Sequence, residues 1–133
     1  MRVFGQILLV ALGSAVGGVT RWGVGLWVAH KFGTAFPYGT LAINVSGCFL
    51  LGWIATVLSE RLVPPTAWLS SDDLRLLVGV GFCGGYTTFS TFGYEADRLF
   101  QDGEWLASTL YLMASVCLGV LAVRLGVLLA SSR

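Results

Sequence analysis

A chain of 133 residues is long enough for one domain, yet only 11% of it is charged while 56% is hydrophobic; a typical soluble domain carries about 25% charge. Eight basic and seven acidic side chains cannot cover a water-facing surface of that size, and a net charge of +1 supplies no long-range field for nucleic acid. The composition excludes an ordinary soluble domain and points to a protein whose solvent is largely lipid.

Residues 3–20, 32–59, 76–94 and 105–123 contain no Lys, Arg, Asp or Glu. Crossing the hydrocarbon core takes about 20 mainly apolar helical residues, and lipid offers unpaired backbone groups no partner. The sequence therefore predicts an all-α membrane protein of four transmembrane helices, near residues 6–29, 38–59, 74–100 and 105–130, in a single domain spanning 1–133.

The first segment imitates a secretory signal, with Arg2, an apolar run and the small Gly17-Gly18 pair. Its hydrophobic pattern continues to Ala29 and no polar domain follows, so it reads as a retained span. Gly13 and Gly17 make a GxxxG pair suited to close helix packing. Arg21 is a cation within this span, which is costly and marks a functional candidate. Either it draws anions into a vestibule or it snorkels to headgroups, with Trp22 as interfacial anchor. His30, beside Lys31, reads as a boundary residue.

On the second span Thr40, Asn44 and Gly47 recur at i, i+4 and i+7, forming one polar face. The following connection carries Pro64-Pro65 and then Ser70-Ser71-Asp72-Asp73, an N-cap with acids in the first helical turn. Trp22, Trp27, Trp68 and Trp105 lie near the expected boundaries, as interfacial aromatics do.

The third span holds the most specific signal. Gly81 and Gly85 form a second GxxxG pair, which leads into Gly84-Gly85-Tyr86-Thr87-Thr88-Phe89-Ser90-Thr91-Phe92. Adjacent glycines followed by β-branched threonines make a poor helix interior. A break there frees carbonyls at membrane depth, which is tolerated only inside protein or along an aqueous cavity. Such carbonyls favour a cation, as in the discontinuous helices of transporters. Phe89 and Phe92, at i and i+3, share a helical face. Their positive ring edges suit an anion, and packing against lipid or core is the competing use. Glu95 follows one turn later.

On the fourth span Ser108, Tyr111 and Ser115 recur at i, i+3 and i+7. Hydroxyls and an amide can donate to a partly dehydrated anion, or they can bridge helices. Arg124 reads as a snorkelling residue. Cys48, Cys83 and Cys117, one in each of the last three spans, have neither disulfide nor zinc spacing and read as packing residues. No catalytic constellation emerges, so the chain is not expected to be an enzyme.

Orientation is nearly balanced. Arg2, Arg61, Arg75 and Arg133 would fall on one side, and Lys31 and Arg98 on the other. Since Lys/Arg bias sets orientation, the slight bias predicts insertion both ways round and an antiparallel homodimer.

Gly17-Gly18-x-x-Arg21-Trp22, Gly39-Thr40-Leu41-x-x-Asn44-x-x-Gly47 and the 84–92 segment resemble the Fluc (CrcB) fluoride channels. The resemblance covers the first three spans by motif and the fourth by length and polarity. It implies a dual-topology homodimer in the plasma membrane, the inner membrane of a bacterium, with two pores formed between the subunits. Conduction would be passive and fluoride-selective, expelling fluoride that enters as its neutral weak acid. A structural sodium ion would lie on the two-fold axis, held by the carbonyls of Gly84 and Thr87 from each chain. The fluoride pathway would use Phe89, Phe92, Ser90, Thr91, Asn44, Thr40, Glu95, Tyr111 and Ser115, and Arg21 would belong to the vestibule. Tyr86 and Gly119 depart from the family pattern, which commonly has an aliphatic residue and a hydroxyl there. The alternative is a small proton-coupled multidrug exporter, whose chemistry needs a carboxylate in the first span; that span has none.

Overall fold

The computed structural model describes residues 2–60 and 69–132, except for the Glu60 side chain. Pro64-Pro65, Trp68, Arg61 and Arg133 lie outside the described residues. Every regular element among those described is helical: α1 (Arg2–Phe32), α2 (Tyr38–Glu60), α3 (residues 71–86), α4 (Phe89–Gln101) and α5 (Trp105–Ser131). The first, second and last are long and apolar enough to cross a membrane. Side chains along α1 such as Leu12, Val16 and Val19 are exposed, as are Leu110, Val120 and Leu125 on α5, which is the arrangement expected of lipid-facing surfaces.

Local chemistry fixes the ends. Gly33, at φ +78°, closes α1 by donating its N–H to Ala29 at 2.9 Å; only glycine takes this left-handed conformation without strain. Gly103 (φ +82°) does the same after α4, where Glu104 N–H reaches back to the Leu99 carbonyl and Gly103 N–H to Phe100, the bonding pattern of a Schellman cap. At the start of α3, the Ser70 hydroxyl accepts from Asp73 N–H and the Asp73 carboxylate accepts from Ser70 N–H, a reciprocal capping box. The Ser70 hydroxyl also donates to the Asp73 carboxylate at 2.8 Å, and this bond, with the one from Ser70 N–H, holds the Asp73 carboxyl below the usual carboxylate range.

Two glycine-lined seams organise the packing. A methyl group at Gly13 would strike the Leu77 carbonyl, one at Gly17 the Phe82 carbonyl, and one at Gly85 the backbone of Ser14. Helix α1 therefore lies backbone to backbone against α3. On the other side Gly52 abuts Val123 and Gly126 abuts the Phe49 carbonyl, drawing α2 onto α5. Small residues permit such approach where lipid gives apolar groups no reason to associate. A small core of Phe92, Ala96, Leu99 and Tyr111 joins α4 to α5.

Within α3, residues Arg75–Cys83 are wound as a π-helix between α-helical Ser71–Leu74 and Gly84–Tyr86. Thr87 (φ −83°, ψ 160°) and Thr88 (φ −151°, ψ 121°) are then extended before α4 begins.

Candidate functional site

The extended threonines disturb a definite set of hydrogen bonds. In a continuous helix Thr88 N–H would bond the Gly84 carbonyl, and Thr91 N–H the Thr87 carbonyl. Instead Thr88 N–H donates to Asn44 Oδ1 at 2.8 Å, and Asn44 Nδ2 donates to the Thr88 carbonyl at 3.0 Å. One amide side chain on α2 thus grips both polar groups of a single residue. Thr91 N–H goes to Thr88 Oγ1 at 3.3 Å, which makes Thr88 the N-cap of α4. The Thr87 carbonyl accepts from Arg21 Nη1 at 3.3 Å. On the other side of the interruption, the Cys83 carbonyl accepts both the N–H and the hydroxyl of Thr87. Gly84 is left without its helical donor.

Two concave regions flank this segment. The first, about 850 Å³, is bordered by Arg21, Trp22, Thr40, Thr88, Thr91, Glu95 and Arg98. The second, about 550 Å³, is bordered by Asn44, Gly47, Cys83, Gly84, Thr87, Phe89, Phe92 and Ser115. Thr88 borders both regions, and Asn44 borders the second, which is lined by the two rings.

The two phenylalanines are neighbours, with ring centroids 5.6 Å apart, but they are held differently. Phe92 is buried and meets Tyr111 edge-on at 5.1 Å. Phe89 is 83% exposed and free to meet a second surface.

Most of the polar stripe residues bridge helices. Glu95 receives Thr40 Oγ1 at 3.0 Å on one oxygen and Tyr111 OH at 2.8 Å on the other. This ties α2, α4 and α5 together at one carboxylate. Ser108, fully buried, donates to the Ala96 carbonyl at 2.8 Å. Ser115 differs: its Oγ is buried without a partner at the wall of the smaller groove. A buried hydroxyl without a partner is uncommon. Ser90 and Thr91 are exposed on the first turn of α4, with Thr91 Oγ1 accepting from Thr88 Oγ1 at 3.0 Å.

Sequence reasoning did not single out Thr88, whose backbone is the partner of Asn44, or the contact of Tyr86. Ser46 donates to the Ala42 carbonyl at 2.7 Å, so the 2.9 Å contact between Ser46 Oγ and Tyr86 OH has tyrosine as donor. The phenol thereby ties the last helical residue before the interruption to α2. The stripe of Thr40, Asn44 and Gly47 was the available signal for α2, and Gly47 packs against the Thr87 methyl and the Tyr86 ring.

Among the described residues no three His, Cys, Asp or Glu side chains come together as a metal site. Backbone carbonyl oxygens at the interruption are of the donor type that suits a hard cation.

Apolar helices of spanning length, joined to a polar interruption held by side chains from two of them, define an α-helical membrane protein. Residues 8–127 match the family described as CrcB-like protein, Camphor Resistance (CrcB). The chain is 47% identical over 122 residues to a protein of Chloroflexus aurantiacus named fluoride-specific ion channel FluC, covering 92% of each. It is 48% identical over 126 residues to the protein of that name from Acidobacterium capsulatum, covering 95% of this chain and 96% of the relative. A third of that name, from Rhizobium etli, is 48% identical over 118 residues, covering 89% of this chain and 90% of the relative. The chain belongs to the CrcB family.

Proposed function

We propose that this protein is a fluoride-selective ion channel, not an enzyme, which passively exports fluoride through pores formed in a homodimer of oppositely oriented copies. The observation that carries the reading is the match over nearly the whole chain to relatives named fluoride-specific ion channels. The whole chain acts as one membrane domain, in the plasma membrane of a bacterium. Residues 74–86 and α4 together make the third of four crossings, interrupted at Thr87 and Thr88.

The geometry supplies a route consistent with this. An anion drawn to Arg21 in the larger cavity meets the polar region around Asn44, Ser90 and Thr91 and then the groove of Phe89, Phe92 and Ser115. There, ring edges and an unpaired hydroxyl offer weak positive contacts instead of a full charge. Contacts of that strength let the ion both enter and leave. Glu95, satisfied by Thr40 and Tyr111, keeps α2, α4 and α5 in register beside the route.

The carbonyls of Gly84 and Thr87 are proposed to hold sodium at the two-fold axis. Gly84 is exposed and has lost its helical donor, while Thr87 keeps a second lone pair beside the one used by Arg21. Gly84 and Thr87 of one chain would supply two oxygens to the ion, and the same pair from a second copy would complete the set. A cation there would neutralise the gathered carbonyl dipoles of both chains. Exhaustive sodium removal should therefore lower both dimer stability and flux, and Thr87→Ser, which keeps the carbonyl, should preserve both. An unaffected sodium-free protein would end this assignment.

Reconstitution into liposomes tests the function. With voltage set by a potassium gradient and no pH gradient, fluoride should escape while chloride stays at the level of protein-free vesicles. Flux that requires a proton gradient would support the multidrug exporter instead, although α1 lacks the carboxylate such coupling needs.

A further inference from the structure

We infer that Arg21 is a positioning residue for the interruption: its guanidinium holds the Thr87 carbonyl in place while presenting its other N–H groups to the larger cavity. The interruption deprives this carbonyl of its helical donor, because Thr91 N–H is taken by the Thr88 hydroxyl. Arg21 Nη1 replaces it at 3.3 Å. The next carbonyl, that of Thr88, is held from α2 by Asn44 at 3.0 Å. Two successive carbonyls are therefore fixed by side chains from two different helices.

The approach is built into α1. Gly17, one turn before Arg21, lies against the Phe82 carbonyl and the Tyr86 amide, where a side chain would collide. That closeness lets a half-buried arginine reach the broken backbone. Among the described residues the ion pairs join Arg75 to Asp72 and Arg98 to Asp102, and none of them involves Arg21. Its bond to Thr87, at 3.3 Å, has a charged donor. A planar guanidinium has five donors, and Arg21 borders the cavity shared with Thr88, Thr91 and Glu95. Charge at the mouth and conformation at the interruption thus depend on one side chain. The link to conduction rests on the channel reading above; the backbone role does not.

The test compares wild type, Arg21→Gln and Arg21→Lys in the purified, reconstituted protein, reading amide hydrogen exchange and fluoride efflux together. Arg21→Gln should speed exchange across residues 87–92 about tenfold or more, leave exchange in α5 unchanged, and lower efflux. Arg21→Lys keeps the charge and a donor but not the planar fork, so it should show a smaller rise and retain part of the efflux. Unchanged exchange at 87–92 in Arg21→Gln overturns the proposal, even if efflux falls, because Arg21 would then act only as a charge. An equal rise in α5 also overturns it, since the role would be general packing. If Arg21→Gln does not assemble, exchange at wild-type rate in Arg21→Lys overturns it. A wild-type protein that leaks no fluoride would defeat the channel reading and leave the exchange result standing.

Discussion

Gly84 and Gly85 are neighbours in sequence with opposite surroundings. Gly85 lies against the Ser14 backbone, and a methyl group there would collide; at Gly84 an added methyl would meet nothing within 4 Å. The first glycine-dependent contact is consumed inside one chain, in the seam between α1 and α3. At Gly84 no described neighbour requires the missing side chain, although glycine weakens a helix by roughly 1 kcal/mol relative to alanine. An open glycine beside the backbone interruption leaves room for the second copy proposed above.

The comparison can be broken most forcefully at these two positions. Gly85→Val should cost about 3 kcal/mol or more through overpacking, seen as loss of folded protein on size-exclusion chromatography or a lower melting temperature. Gly84→Val should leave the chain folded and shift the assembly towards monomer. Equal behaviour of the two variants would remove the distinction.

Asn44→Ala comes next. It leaves Thr88 N–H without its partner, at a cost of about 1–3 kcal/mol, and should abolish fluoride efflux. Thermal unfolding and liposome flux check the two parts. Asn44→Asp, which keeps the acceptor for Thr88 N–H, should recover part of the lost stability.

Much of this arrangement could be read before any coordinates. Charge spacing located the apolar helices because inserting a charged side chain into lipid is costly at almost any position along a span. Paired glycines and threonines marked weak helix at 84–88, where the backbone is extended at Thr87 and Thr88. The partners of that segment were not legible. Asn44 and Thr88 are 44 residues apart and Arg21 and Thr87 are 66 apart, and no periodicity encodes which long-range pair will form. Nor could the stripe on the last helix separate Ser108, which bridges to Ala96, from Ser115, which has no partner. Both are serines on one face, and only the neighbouring helix distinguishes them. The same holds for Phe89 and Phe92, whose i, i+3 spacing is silent about which ring Tyr111 covers.

That last contrast gives a further way to sharpen the account. Phe92→Ile removes the edge-on contact with Tyr111, which is worth about 0.5–1.5 kcal/mol beyond burial, and should lower both stability and flux. Phe89→Ile should abolish flux with little change in the melting temperature of the single chain. Normal flux in both variants would make the rings packing elements only.

The smallest expected effect is at Asp73. Its carboxyl is held below the usual range in the folded chain, so its stabilising contribution is complete above the unfolded value of about 3.9. That contribution is lost as pH falls through the lower folded value. Asp73→Asn should lower stability slightly near neutrality, converge with wild type in acid, and so flatten the acid limb of a stability profile below about pH 4.

The claim that an inverted second copy completes the interrupted segment is tested most directly by labelling a C-terminal tag from each face of the membrane. The account predicts that about half of the tags are reached from either side, as expected when Lys/Arg bias is slight, and that dimers trapped by cross-linking carry both orientations. Tags reached from one face only, or a chain that remains single in the bilayer, would contradict it.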